Sequence, residues 1–183
     1  MEKDELAALV EEAKNLEPDA LAKLCEYFYP KIYRYIFYRV HKPVEAEDLT
    51  GDVCVRAVEA IGKQKGSFTA WLYRIAANLI IDHYRRKAVR HEIALTEEAL
   101  EIPNGRPERA LEWPDELEKA LTQEQVRKAL QKLTDEQQQV IVLKFIEGYD
   151  NPEIAEMLGK SVGAIKGLQF RALSALKEIF QES

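Results

Sequence analysis

Cysteine, proline and glycine are all scarce in this chain: 2 Cys, 7 Pro and 8 Gly among 183 residues. The two cysteines, Cys25 and Cys54, form no CxxC pair, which argues against a disulfide scaffold and against a cysteine-rich zinc site. His41, His83 and His91 show no metal-ligand spacing. No Walker loop, nucleophile elbow or carboxylate-metal cluster is present, so no catalytic residue, metal or cofactor is expected and the chain is not expected to be an enzyme. No apolar run approaches the ~20 residues of a membrane span, which excludes membrane insertion by a helix. The start, Met1-Glu2-Lys3-Asp4-Glu5, is charged and has no apolar signal core. These absences together predict a cytoplasmic protein in a reducing compartment.

Apolar residues make up 46% of the chain, enough for a real core and too many for a disordered protein. Scarce breakers and plentiful Ala, Leu, Glu, Lys and Arg favour helix. Residues 20–40, 45–61, 69–87, 122–133, 135–147, 152–158 and 162–180 show helical apolar spacing, and no alternating strand pattern is visible. Between them, Pro103-Asn104-Gly105-Arg106-Pro107 and Trp113-Pro114 lie among nine acidic residues from Val89 to Glu118. The expected architecture is all-α. Two small helical domains, 1–90 and 119–183, are joined by an acidic linker at 91–118. Charge follows this division. Net charge is −5 over residues 1–30, +6 over 31–90, −6 over 91–120 and −1 over 121–183. The overall −6 argues against a polyanion partner, whereas the basic 31–90 segment argues for one.

The C-terminal stretch from Asn151 to Gly163 reads as a helix-turn-helix. Asn151 is the expected N-cap with Pro152 at the first helical position, Gly159 the left-handed C-cap, and Ser161 the cap of a second helix. Thr134 to Gln137 fits a capping box for the helix before. On the second helix Ile165, Leu168, Ala172, Leu176 and Ile179 share an inward face. Gly163, Lys166, Gly167, Phe170, Arg171 and Ser174 lie opposite. A helix exterior is ordinarily polar, but that does not explain Phe170 between basic and small residues. Small residues let a helix approach a groove; Lys and Arg reach guanine edges or phosphates, and an aromatic meets a thymine methyl.

In the N-terminal half, Phe68 to Lys87 carries Leu72, Ile75, Ala76 and Leu79 on an expected buried face. Trp71, Arg74, Asn78 and Arg85 share another stripe, within about 60° at 100° per residue. An aromatic, an amide and two guanidiniums suit stacking on and edge reading of a splayed strand. A core tryptophan with solvated arginines is the alternative, and the stripe alone does not decide. The pattern F-x-x-W-L-x-x-I-A-x-N-x-x-x-D-x-x-R-R resembles the DNA-reading segment of extracytoplasmic-function (ECF) sigma factors of the sigma-70 family. Ala46-Glu47-Asp48-Leu49 with Val53 resembles that family's polymerase-docking helix, and Pro152 to Ala172 its C-terminal helix-turn-helix. The resemblance covers roughly residues 19–88 and 120–180.

The resemblance implies a region 2 helical bundle and a region 4 helix-turn-helix. It implies a −10 contact set of Lys63, Lys65, Ser67, Phe68, Trp71, Arg74, Asn78, Arg85 and Arg86. Phe68 and Trp71 would flank the loop that holds a flipped base. It implies −35 contacts at Ser161, Lys166, Gly167, Phe170 and Arg171, and polymerase docking through Asp48, Leu49 and Asp52. The implied partners are core RNA polymerase, promoter DNA and an anti-sigma factor. The chain departs from the family at Gly51, usually Gln, at Cys54, commonly Phe, and at Leu168, often basic. Two other readings stand beside this one: a free-standing helix-turn-helix regulator with a helical sensor domain, and an adaptor whose basic helix meets an acidic protein. The aromatics at 27–38 are expected to pack, and Asp82 to pair along the helix with Arg85 or Arg86.

Overall fold

The computed structural model describes residues 1–91 and 122–182. The expected acidic linker therefore lies outside the described residues from 92 onward. Every regular element among the described residues is helical. The chain divides into two compact units, Met1–Arg85 and Arg86–Ser183.

The first unit begins with α1, Lys3–Lys14, which the sequence reading passed over. Its apolar stripe is short: Leu9, Val10 and Ala13 are buried, and no side chain caps its start. Leu16, at φ 61, turns the chain into α2, Pro18–Val40. Pro30 sits inside α2, where a missing N–H and a ring clash ordinarily cost ~3 kcal/mol. The helix continues because its aromatic and aliphatic face is anchored on both sides of Pro30. Phe28, Ile32, Tyr35, Ile36 and Tyr38 are all buried. Tyr33 stacks on Phe37 at 6.0 Å, and Tyr27 meets Phe28 edge-on at 4.9 Å. The aromatic cluster is thus largely packing, as expected, although Tyr29 stays exposed.

α2 ends at His41, whose N–H donates to the Phe37 carbonyl at 2.8 Å and whose left-handed φ of 62 turns the chain out of the helix. Just before it, Arg39 is completely buried. Its Nη1 donates to the Tyr35 hydroxyl at 3.2 Å and its guanidinium lies 5.9 Å from the Tyr35 ring centre. α3, Pro43–Ala60, packs along α2 through Ala46, Leu49, Val53 and Ala57. A 3-10 turn, Ile61–Lys63, then buries Ile61 and touches α1.

α4, Phe68–His91, crosses this bundle. Its buried side is wider than the expected stripe: Tyr73, Ala77 and Ile80 join Leu72, Ala76 and Leu79, while Ile75 is only half-buried. Phe68 packs on Phe28 at 5.4 Å and Tyr73 on Tyr35 at 5.3 Å. The Tyr84 hydroxyl donates to the Arg39 carbonyl, and His83 Nε2 faces Glu45 Oε2 at 3.0 Å, tying α4 to the start of α3. The ion pair expected at Asp82 does not form: none of the ion pairs among the described residues joins it to Arg85 or Arg86. The helix instead keeps both arginines exposed.

The second unit is built around its last helix. α5, Gln123–Leu130, and α6, Asp135–Ile141, each start on a capping box, Thr122 with Gln125 and Thr134 with Gln137. The helix expected over 122–133 therefore stops at Leu130, and Leu133 is buried in the turn that follows. α6 widens into a π-helical turn, Val142–Ile146, closed by the Glu147 N–H on the Val142 carbonyl at 2.9 Å. α7 is Asn151–Leu158 and α8 is Val162–Gln181. α5, α6 and α7 all pack on α8, around Leu130, Ile141, Leu143, Ile154, Ile165, Ala172 and Leu176, all buried.

Candidate nucleic-acid interface

Two surfaces, one in each unit, gather the side chains that the sequence singled out. The helix-turn-helix comes first because its caps are explicit. Asp150, and not Asn151, is the N-cap of α7: its carboxylate accepts the Glu153 N–H at 2.9 Å, and Glu153 returns the bond to the Asp150 N–H at 2.9 Å. The expected cap was one residue too late because Asp150 makes a reciprocal box with Glu153 that Asn151 cannot make with Ile154. Asn151 is engaged elsewhere. Its Oδ1 accepts from Gln169 Nε2 at 2.7 Å, a strut between α7 and α8. Gly159 closes α7 at φ 64, as expected, and Ser161 caps α8 by accepting the Ala164 N–H at 3.1 Å.

α8 then buries Ile165, Leu168, Ala172 and Leu176, with Ile179 half-buried near its end. Lys166 is exposed on the other side, with Gly167, Phe170 and Arg171 half-exposed beside it. A Cβ added at Gly167 would sit 3.6 Å from an Arg171 nitrogen, an ordinary contact. From Ser161 to Arg171 this surface is ~15 Å long at 1.5 Å per residue, the scale of a groove-inserted helix end. Leu168, where the family often has a basic residue, is buried and so offers no surface charge.

In the first unit the expected −10 set separates into surface groups and supports. Lys63 and Lys65 are exposed on the loop before α4. That loop is held from beneath by Gln64, a buried amide whose Nε2 donates to the Gly66 carbonyl at 2.9 Å. Gly66 takes φ 74, which an L side chain resists. The sequence reading missed Gln64; its only signal was a polar residue between two lysines. Ser67 accepts the Ala70 N–H at 3.2 Å and its carbonyl receives the Trp71 N–H at 3.0 Å, so it caps α4 as well as facing outward. Phe68 is only 8% exposed, and its ring lies 5.5 Å from that of Trp71. Phe68 is thus a floor under a half-exposed Trp71, not a surface aromatic.

Along α4, Arg74, Asn78, Arg85 and Arg86 are all exposed. From Trp71 to Arg85 the stripe runs ~21 Å. On α3, Asp48 and Asp52 are exposed, whereas Leu49 is 6% exposed and packs beneath them. Gly51 lies inside α3, and a Cβ there would meet nothing within 4 Å.

The arrangement matches known proteins over both units. Residues 24–90 match the family model for sigma-70 region 2, and residues 123–176 that for sigma-70 region 4. The chain is 37% identical over 179 residues to the ECF RNA polymerase sigma factor BldN of Streptomyces coelicolor, covering 95% of this chain and 65% of BldN. It is 31% identical over 169 residues to the RNA polymerase sigma factor YlaC of Bacillus subtilis, covering 90% of this chain and 94% of YlaC. The chain belongs to the ECF sigma factors of the sigma-70 family. Among solved structures it is similar to CnrH, determined in complex with the cytosolic domain of CnrY, at a TM-score of 0.71 and 26% identity over 96% of this chain and 97% of CnrH. The all-α, two-unit architecture of this sigma factor is that of region 2 and region 4.

Proposed function

We propose that this ECF sigma factor binds core RNA polymerase and directs it to promoters by reading a −35 duplex and a −10 single strand. The observation that carries this reading is the stripe of half-exposed Trp71 and exposed Arg74, Asn78 and Arg85 on α4, over a buried apolar face. Trp71, backed by Phe68, offers a stacking platform, an interaction worth ~1–3 kcal/mol per base. Asn78 supplies an amide for a base edge. Lys63, Lys65, Ser67, Arg74, Arg85 and Arg86 line the path with donors and positive charge for phosphates. Strand opening then comes from binding energy that traps unstacked bases, with no covalent step and no catalytic group on this chain. The protein assists an enzyme and is not itself one.

In region 4, Lys166, Gly167, Phe170 and Arg171, with Ser161 at the helix start, are the −35 reading surface. On α3, Asp48 and Asp52 are the polymerase-facing acids and Leu49 fixes the pitch of the helix that carries them. The domains run 1–90 and 119–183, with the acidic 91–118 segment as tether. The working location is the cytoplasm, consistent with the finding that no helix among the described residues is long and apolar enough to cross a membrane. A regulatory anti-sigma protein is the remaining partner. CnrH, of the same architecture, was determined with the cytosolic domain of CnrY bound, which supports a protein partner for this fold.

The division of labour on α4 is tested by Asn78→Ala and Arg85→Ala, each assembled with core polymerase and titrated against −10 single strands of varied sequence. Loss of Asn78 is expected to cost ~1–3 kcal/mol on the preferred sequence and to flatten discrimination. Loss of Arg85 is expected to weaken all sequences alike and to reduce the salt slope by about 1. Identical behaviour of the two variants would refute the split between base reading and backbone contact.

A further inference from the structure

Cys25 and Cys54 are separated in sequence but face each other in the fold. Cys25 belongs to the α2 stripe of Leu21, Leu24 and Phe28, and Cys54 to the α3 stripe of Val53, Ala57 and Val58. The two stripes line the same apolar cavity between α2, α3 and the start of α4, and both thiols are on its wall. Both residues are half-buried, and neither is in a disulfide. Burial above all, and then Cys25 beside it, push the Cys54 thiol up to about 11.

We propose that Cys25 and Cys54 form a peroxide-oxidisable dithiol site that closes an intrachain disulfide between α2 and α3. The first step is taken by Cys25, and the same balance holds if Cys54 leads. The Cys25 sulfur attacks one oxygen of a hydroperoxide, the O–O bond breaks, and Cys25 becomes a sulfenic acid as one water (or alcohol) leaves with the thiol proton. The Cys54 sulfur then attacks the Cys25 sulfur, the S–O bond breaks, and the S–S bond forms as a second water leaves. Two thiols give up two electrons and two protons, which reduce one peroxide. A reducing compartment returns the pair to thiols, as for redox-sensing disulfides generally. The bond would restrain α3 two residues from Asp52. That consequence for polymerase rests on the function proposed above, whereas the thiol chemistry does not.

The test uses the full chain, reduced, then exposed to hydrogen peroxide and quenched with an alkylating agent. Expected is a monomer in which both alkylation sites vanish together with the loss of two hydrogens. Tryptic peptides 24–31 and 40–56 should appear linked, and dithiothreitol should restore both thiols. Cys25→Ser and Cys54→Ser should each abolish the linked peptide, and the wild-type chain alone decides the matter if either variant folds poorly. Thiols that stay alkylatable, oxidise separately to sulfinic acid, or form only interchain disulfides would overturn the proposal. All of these outcomes are read without polymerase or DNA, so they stand or fall apart from the sigma-factor reading.

Discussion

Asp150 shows how much a single side chain sets in region 4. It begins the first helix of the DNA-reading motif, and both bonds of its capping box are short. Asp150→Ala should lower the stability of the unit by about 1 kcal/mol, whereas Asp150→Asn or Asp150→Ser should retain most of it. Urea melts of the three variants check this. The neighbouring Asn151 was an attractive cap by residue type. Type alone could not tell it from Asp150, because the decision lies three residues on: Glu153 completes a box with one and not with the other. Similar local information placed Gly159, Ser161 and Thr134 correctly, since each cap acts within its own turn. Gln64, Gln169 and Arg39 were not legible. Gln169 bonds across to Asn151, Gln64 and Arg39 are buried, and nothing in their local sequence distinguishes them from surface polar residues.

At the scale of elements, α3 carries a built-in weakness. Gly51 occupies a helical position with open space around its missing Cβ. Gly51→Ala should therefore stabilise the fold by about 0.5–1 kcal/mol, read as a higher midpoint in a denaturant melt. No change or a loss would mean that the backbone at Gly51 departs from ordinary helix in solution. The helices α2, α3, α4 and α8 were legible because a long apolar stripe at helical spacing survives local interruptions such as Pro30, and the short α7 because of its proline and glycine punctuation. α1 was missed because its stripe is brief and its start has no capping side chain, so it is stabilised by packing on α2 and the 3-10 turn. The π turn at Val142–Ile146 was likewise beyond a pattern of period 3.6, since one extra residue per turn shifts the apolar phase within a segment that is apolar throughout. The face assignments on α4 were right for its exposed stripe and too narrow for its core. A helix crossing two others buries more than one stripe.

At the scale of the whole molecule, the charge sequence and the two-unit division serve one task. The basic 31–90 segment coincides closely with the region 2 match at 24–90, and the helix-turn-helix occupies the C-terminal part of the region 4 match at 123–176. Long motifs made the family legible, because they combine residues kept for packing with residues exposed to solvent. The particular contacts were less so: Phe68 and Leu49 belong to the motif yet are buried, and act beneath the residues that face outward. The central claim is that this chain gives core polymerase a promoter. In vitro transcription with core RNA polymerase on fragmented genomic DNA, with and without the full chain, tests it most directly. Expected are new start sites that appear only with the chain, share a pair of upstream elements, and are lost with Asn78→Ala. Start sites unchanged by adding the chain, alongside tight binding of a duplex operator without polymerase, would contradict it and favour a free-standing regulator.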